Sequence, residues 1–113
     1  MEQLRAFVAS WQREFKVKNQ AGMHALFAPA VTFYSPVVDR PYVKRDEIFR
    51  ILSFVIHVLE ELTYTRILYD VDTRSVCMEF NSFITTPSGE RISTDGIDLI
   101  RLDANGLIDD FKV

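Results

Sequence analysis

Residues 75–102 read SVCMEFNSFITTPSGERISTDGIDLIRL, and their periodicity decides the fold. In the first part Met78, Phe80 and Ser82 alternate with Glu79 and Asn81; in the last part the residues around Asp98 are apolar (Ile97, Leu99, Ile100, Leu102). A period of two carried by β-branched and aromatic residues specifies strands, here over 75–85 and 91–102. The Thr86-Pro87-Ser88-Gly89 stretch between them is turn chemistry. The same period begins at Leu62, runs over 62–69 to Asp70-Val71-Asp72, and returns over 107–113 after Asp103-Ala104-Asn105-Gly106. Connections this short imply an antiparallel meander.

Upstream the period is 3.6. Leu4, Phe7, Val8, Trp11 and Phe15 recur at helical spacing, with Glu2, Arg5, Gln12, Arg13, Glu14 and Lys16 on the other faces, so the first segment is an amphipathic helix. Asn19 caps a shorter helix carrying Met23, Leu26 and Phe27, which must end near Pro29. Residues 31–37 read as a strand, with Val31, Phe33 and Ser35 on one side and Thr32 and Tyr34 on the other, closed by Pro36 and Pro41. From Asp46 a third helix runs through Ile48, Ile51, Leu52, Val55 and Leu59, apolar around most of its circumference and so expected to be buried on more than one side. Three helices followed by mostly antiparallel strands give an α+β fold, one domain over 1–113, with the helices gathered on one face of a curved sheet and closing a pocket.

Composition narrows the function classes. The 113 residues are 48% hydrophobic and 26% charged, the balance of a globular domain. A net charge of -3 with scattered cations leaves no footprint for nucleic acid. The most apolar stretch, 48–59, carries Arg50 and His57 and is too short to span a bilayer, and residues 1–5 lack a signal pattern. The lone Cys77 permits no internal disulfide, and a cytoplasmic setting is expected.

The order of elements, with Ala25-Leu26-Phe27-Ala28 before the first strand, Ser35-Pro36-Val37 ending it and Gly96-Ile97-Asp98 in the fourth, resembles the nuclear-transport-factor-2-like superfamily, nearest its SnoaL-like and ketosteroid-isomerase-like branches. The resemblance implies a cone-shaped, strongly curved sheet (a cystatin-like roll) around an apolar cavity, and a homodimer through the outer sheet face. Carried over residue by residue from 11 to 52, it places Ser35 where the isomerases hold their carboxylate base, Trp11 where they hold an oxyanion-donating tyrosine, and Leu52 where a supporting tyrosine stands. A hydroxyl cannot abstract a carbon-bound proton unaided, and an indole N–H donates a hydrogen bond but no proton. Asp98 alone matches, at the second oxyanion donor. A glycine common before the third helix is replaced by Lys44. The chain stops at Phe111-Lys112-Val113, earlier than such relatives run, which implies a shortened last strand with an exposed edge.

Asp98 is therefore the candidate catalytic acid or base and the polar anchor of the pocket, with Gly96 on the same face expected to leave room for a ligand. The alternative is structural, a hydrogen bond that merely fixes strand register, with the Trp11 N–H as a possible partner. The expected ligand wall is Trp11, Phe15, Phe27, Phe33, Ser35, Phe54, Phe80, Asp98 and Ile100, although a plain core uses the same aromatics. His57 shares a polar stripe with Arg50 and Ser53, and His24 lies beside the apolar face of its helix; both read as partly exposed. Glu79 faces outward unless a bulge shifts its strand, in which case it would oppose Asp98 as a second carboxylate. Arg101 points away from Asp98, and Cys77 reads as a small core or interface residue. No spacing suits a metal, and no cofactor is expected. The reading is a domain that binds a small apolar or ring-containing molecule; the alternatives are a cofactor-independent isomerase, dehydratase or cyclase using Asp98, and a non-catalytic dimerisation scaffold.

Overall fold

The computed structural model describes residues 1–35 and 40–113. Its elements are helix α1 (Glu2–Lys16), helix α2 (Gln20–His24), strand β1 (Phe27–Tyr34), helix α3 (Arg45–Val58) and strands β2 (Glu60–Asp70), β3 (Ser75–Thr85), β4 (Arg91–Leu102) and β5 (Ile108–Lys112). One sheet holds all five strands in the order β1-β5-β4-β3-β2, with β1 parallel to β5 and the other pairs antiparallel. The chain is thus an α+β fold with a curved, mostly antiparallel sheet, as its periodicities predict.

The strands 75–85 and 91–102 have the expected bounds and pair without a register shift from Ser75–Arg101 to Thr85–Arg91. The first strand begins four residues earlier than expected, at Phe27, and includes Pro29. Proline is tolerated there because β1 is an edge strand whose register shifts between Phe27 and Thr32. Pro36, one of the two prolines expected to close it, and Val37, its expected last residue, lie outside the described residues. Asn19 does cap α2, its side chain accepting from the Gly22 N–H at 3.1 Å.

Helix α1 buries Leu4, Phe7, Val8 and Trp11 against the sheet, and the core closes around Trp11, Phe27, Phe33 and Phe111, with ring centroids 5.4–6.3 Å apart along the Trp11–Phe111, Phe27–Phe111 and Phe33–Phe111 pairs. Helix α3 corrects an expectation: it buries Ile48, Leu52 and Ile56 on one side only, and Phe54 is 69% exposed. Phe54 follows Arg50 by four residues and precedes His57 by three, so it rides on the polar stripe facing away from the sheet. No helix among the described residues is long and apolar enough to cross a membrane.

Candidate functional site

Between α3 and the inner face of the sheet lies a cavity of about 250 Å³, walled by Phe33, Ile51, Leu52, Val55, Leu62, Phe80 and Phe111, together with Ser35, Leu59, Asp98 and Val113. Among the described residues Asp98 brings the one side-chain carboxyl to this wall, and it is only 7% exposed. Strand alternation aims it inward with Ile100 and Leu102, while Ile97, Leu99 and Arg101 face out. Burying a carboxylate among apolar side chains disfavours its charged form, so desolvation lifts Asp98 from an ordinary 3.8 to about 7, against a smaller downward pull from a hydrogen bond donated by Tyr64.

Tyr64 is the residue that sequence reasoning missed. Its hydroxyl accepts from the Trp11 indole N–H at 2.6 Å and, since that N–H can only donate, its own proton is free to point at Asp98 Oδ2, 3.5 Å away. Burial, and next the neighbouring Asp98 charge, push the Tyr64 hydroxyl above its usual range, so it remains a donor. The chain Trp11–Tyr64–Asp98 joins α1, β2 and β4. A signal for it existed in the sequence. The inward series Leu62, Tyr64 is followed by Ile67, Tyr69, out of phase by one, with Thr65 and Arg66 both exposed between them. The ladder shifts register there, between Tyr64 and Arg66. Two consecutive polar residues inside an alternating run mark such a bulge.

The other expected wall residues separate into groups. Phe33, Ser35, Phe80 and Asp98 are in the cavity wall. Trp11, Phe27 and Ile100 are not; they are buried in the packed core, Trp11 by Phe7, Phe27 and Phe111, and Ile100 opposite Val76 and Phe111 in the sheet. Trp11 reaches Asp98 only through Tyr64. Phe15 lines a different hollow beside the end of α1, and Phe54 is on the surface. The room expected over Gly96 is taken: the Phe80 ring folds onto it, so a Cβ at 96 would lie 2.5 Å from Phe80 Cζ. Gly96 faces Phe80 across the β3–β4 pair, which is why the ring can settle there.

Glu79 stays outside, accepting from Thr65 at 3.0 Å and pairing with Arg66 at 3.3 Å, because the bulges fall in β2 and leave β3 in phase. Arg101 also faces out and pairs with Asp109 at 2.8 Å. His24 lies edge-on to Phe49 and 3.6 Å from Asp46, and His57 is exposed; neither reaches the cavity wall. Among the described residues no group of three or more His, Cys, Asp or Glu side chains is placed to hold a metal ion. Chemically, the site can solvate the polar edge of an apolar guest through one carboxyl that exchanges its proton near neutrality, backed by a hydroxyl that does not.

A family model described as a SnoaL-like domain matches residues 4–111. Among solved structures the chain is similar to a steroid delta-isomerase from Pseudomonas aeruginosa, at 33% identity and a TM-score of 0.85 over 99% of this chain and 78% of that one. It is similar as well to an uncharacterized protein with a cystatin-like fold from Silicibacter pomeroyi, at 30% identity and a TM-score of 0.79 over 94% of this chain and 70% of that one. At 14% identity it shares the fold, with a TM-score of 0.81 over 97% of this chain and 91% of that one, with a Mycobacterium tuberculosis protein solved in complex with estradiol-17beta-hemisuccinate. No curated protein matches.

Proposed function

The chain belongs to the SnoaL-like domain family, and from that premise we propose that it binds a small, mostly apolar, ring-containing molecule in the cavity under α3, with Asp98 as the polar anchor. The observation that carries this reading is one buried side-chain carboxyl, the only one among the described residues of a mostly apolar wall, held from behind by Tyr64. Burying such a group costs stability, and a fold tolerates that cost where the group has work to do. The estradiol-17beta-hemisuccinate complex of the Mycobacterium tuberculosis protein is in keeping with a ring-containing, mostly apolar guest. The lone Cys77 suits a reducing, cytoplasmic setting.

The test is the Asp98 side-chain carboxyl carbon, followed by NMR across pH with and without estradiol and 2-naphthol. The expected midpoint lies near pH 7 and moves when either phenol is added. A midpoint at or below about 4, unmoved by both, would make Asp98 structural and put the scaffold reading first.

A second reading is favoured by the 33% identity to a steroid delta-isomerase. In it the reaction is a cofactor-independent isomerisation, dehydration or cyclisation with Asp98 as the acid or base. Ser35 in the cavity wall opposes it, because a hydroxyl stands where that chemistry wants a second carboxylate.

We also propose a homodimer through the outer sheet face. Leu68, Cys77 and Leu99 stand side by side across β2, β3 and β4, and Leu68, Ile97 and Leu99 are all exposed. A contiguous apolar row of this kind favours a partner. In sedimentation the wild type is expected at twice the 13.1 kDa chain mass and Leu99→Asp at the chain mass. A wild type that sediments as a monomer at tens of micromolar refutes the dimer.

A further inference from the structure

At about 250 Å³ the cavity falls just short of the roughly 300–1,000 Å³ usual for sites that take drug-sized ligands, so a larger guest must extend beyond it. Two of its wall residues, Leu59 and Leu62, also wall a groove of about 540 Å³ between the last turn of α1 and the start of β2. Tyr64 belongs to the groove and Asp98 to the cavity, so their 3.5 Å contact stands in the same partition. The two hollows are back to back.

Their chemistry is opposite. Three cations, Arg13, Lys16 and Lys18, line the groove against one carboxylate, Glu61, which is itself engaged by Arg91 at 2.5 Å. Arg13 leans on Glu14, but neither Lys16 nor Lys18 makes an ion pair among the described residues. Lys18 sits at a φ of 54° just past the helix, in a turn tied by Lys18 N–H to the Phe15 carbonyl and Asn19 N–H to the Glu14 carbonyl. A helix C-terminus attracts cations for its own stability, which accounts for Arg13 and Lys16. It does not account for their sharing a hollow with Lys18 and with the apolar partition of the cavity.

We propose that the groove receives the anionic end of an amphipathic ligand whose apolar body occupies the cavity, the ligand being a small organic acid with one oxyanion group. The proposal rests on the reading of the cavity as a ligand site and narrows it to a substrate class. Leu59 and Leu62 are then the flexible part of the wall, parting to let the guest reach from one hollow into the other.

Three probes with one alkyl chain test it: 1-decanesulfonate, 1-decanol and decyltrimethylammonium, titrated below their micelle concentrations at low salt by calorimetry. The sulfonate is expected to bind about tenfold more tightly than the alcohol, the effect of two exposed ion pairs, and the ammonium most weakly. Lys16→Gln with Lys18→Gln should bring the sulfonate down to the alcohol's affinity and leave the alcohol unchanged, and 0.5 M NaCl should do the same. Val55→Trp, which enlarges a half-buried residue of the cavity wall, should abolish all three. Equal binding of sulfonate and alcohol, both lost in Val55→Trp, overturns the groove proposal and leaves the cavity reading intact. Tightest binding of the ammonium overturns it too. Sulfonate binding that survives Val55→Trp, or binding of none of the three, overturns both.

Discussion

Asp98→Asn is expected to raise the stability of the fold by about 3–4 kcal/mol at pH 8 and to leave it nearly unchanged at pH 4. In the folded chain Asp98 titrates near 7, and in the unfolded chain near an ordinary 3.8. The folded state therefore holds its proton longer. A raised folded pKa contributes stability that is fully present below about 4 and is lost as the pH climbs through 7, because above that point the fold must bury a charge the unfolded chain leaves in water. Asparagine keeps the shape and still accepts from Tyr64 but never ionises. For a domain of this size the gain corresponds to a midpoint shift on the order of 15 °C. Urea unfolding of both proteins at pH 4, 6 and 8 reads it directly. Equal stability at pH 8, or a less stable variant at every pH, would mean that the carboxylate is solvated or paired with a cation, and the apolar setting of the site would be refuted.

Phe111→Ala is expected to cost about 3–5 kcal/mol, enough to leave the domain marginal. Phe111 is 2% exposed, stands opposite Ile100 on one side and Phe33 on the other, and touches the rings of Trp11, Phe27 and Phe33. It is also a wall of the cavity. Truncating it removes the aromatic contacts of the core and opens a void continuous with the cavity, so collapse cannot refill the space. Phe111→Leu should recover most of the loss because volume is nearly kept. Chemical denaturation of the three proteins measures it; a loss under about 1 kcal/mol for the alanine would show that β5 contributes little to the core.

The two effects have opposite signs for one reason. Phe111 serves packing, whereas burial in the wall of a hollow makes Asp98 costly to ionise. Position 98 could be picked out from the sequence because an acid interrupts a run of Ile97, Leu99 and Ile100, and strand alternation already aimed it inward. Its hydrogen-bond partner could not. The hydroxyl that tunes it comes from Tyr64, 34 residues away on a strand that is not even its neighbour in the sheet. Phe54 and Gly96 mislead for a related reason. An aromatic on a helix rich in apolar residues looks buried until the helix is docked, and a glycine looks like open space until the ring of the opposing Phe80 is seen to lie on it.

Sequence by itself determined the elements, their order and the inward or outward aim of most side chains, since 3.6 and 2 residue periods are local properties of the chain. It carried the family resemblance as well, through motifs a few residues long. Only the tertiary structure decided which wall each inward side chain joins. Trp11, Phe27 and Ile100 went to the core, Phe33, Phe80 and Asp98 to the cavity, and Phe15 to a second hollow. Those assignments depend on how α1 and α3 settle across a bulged, curved sheet, and packing between elements distant in sequence leaves no periodic trace within any one of them.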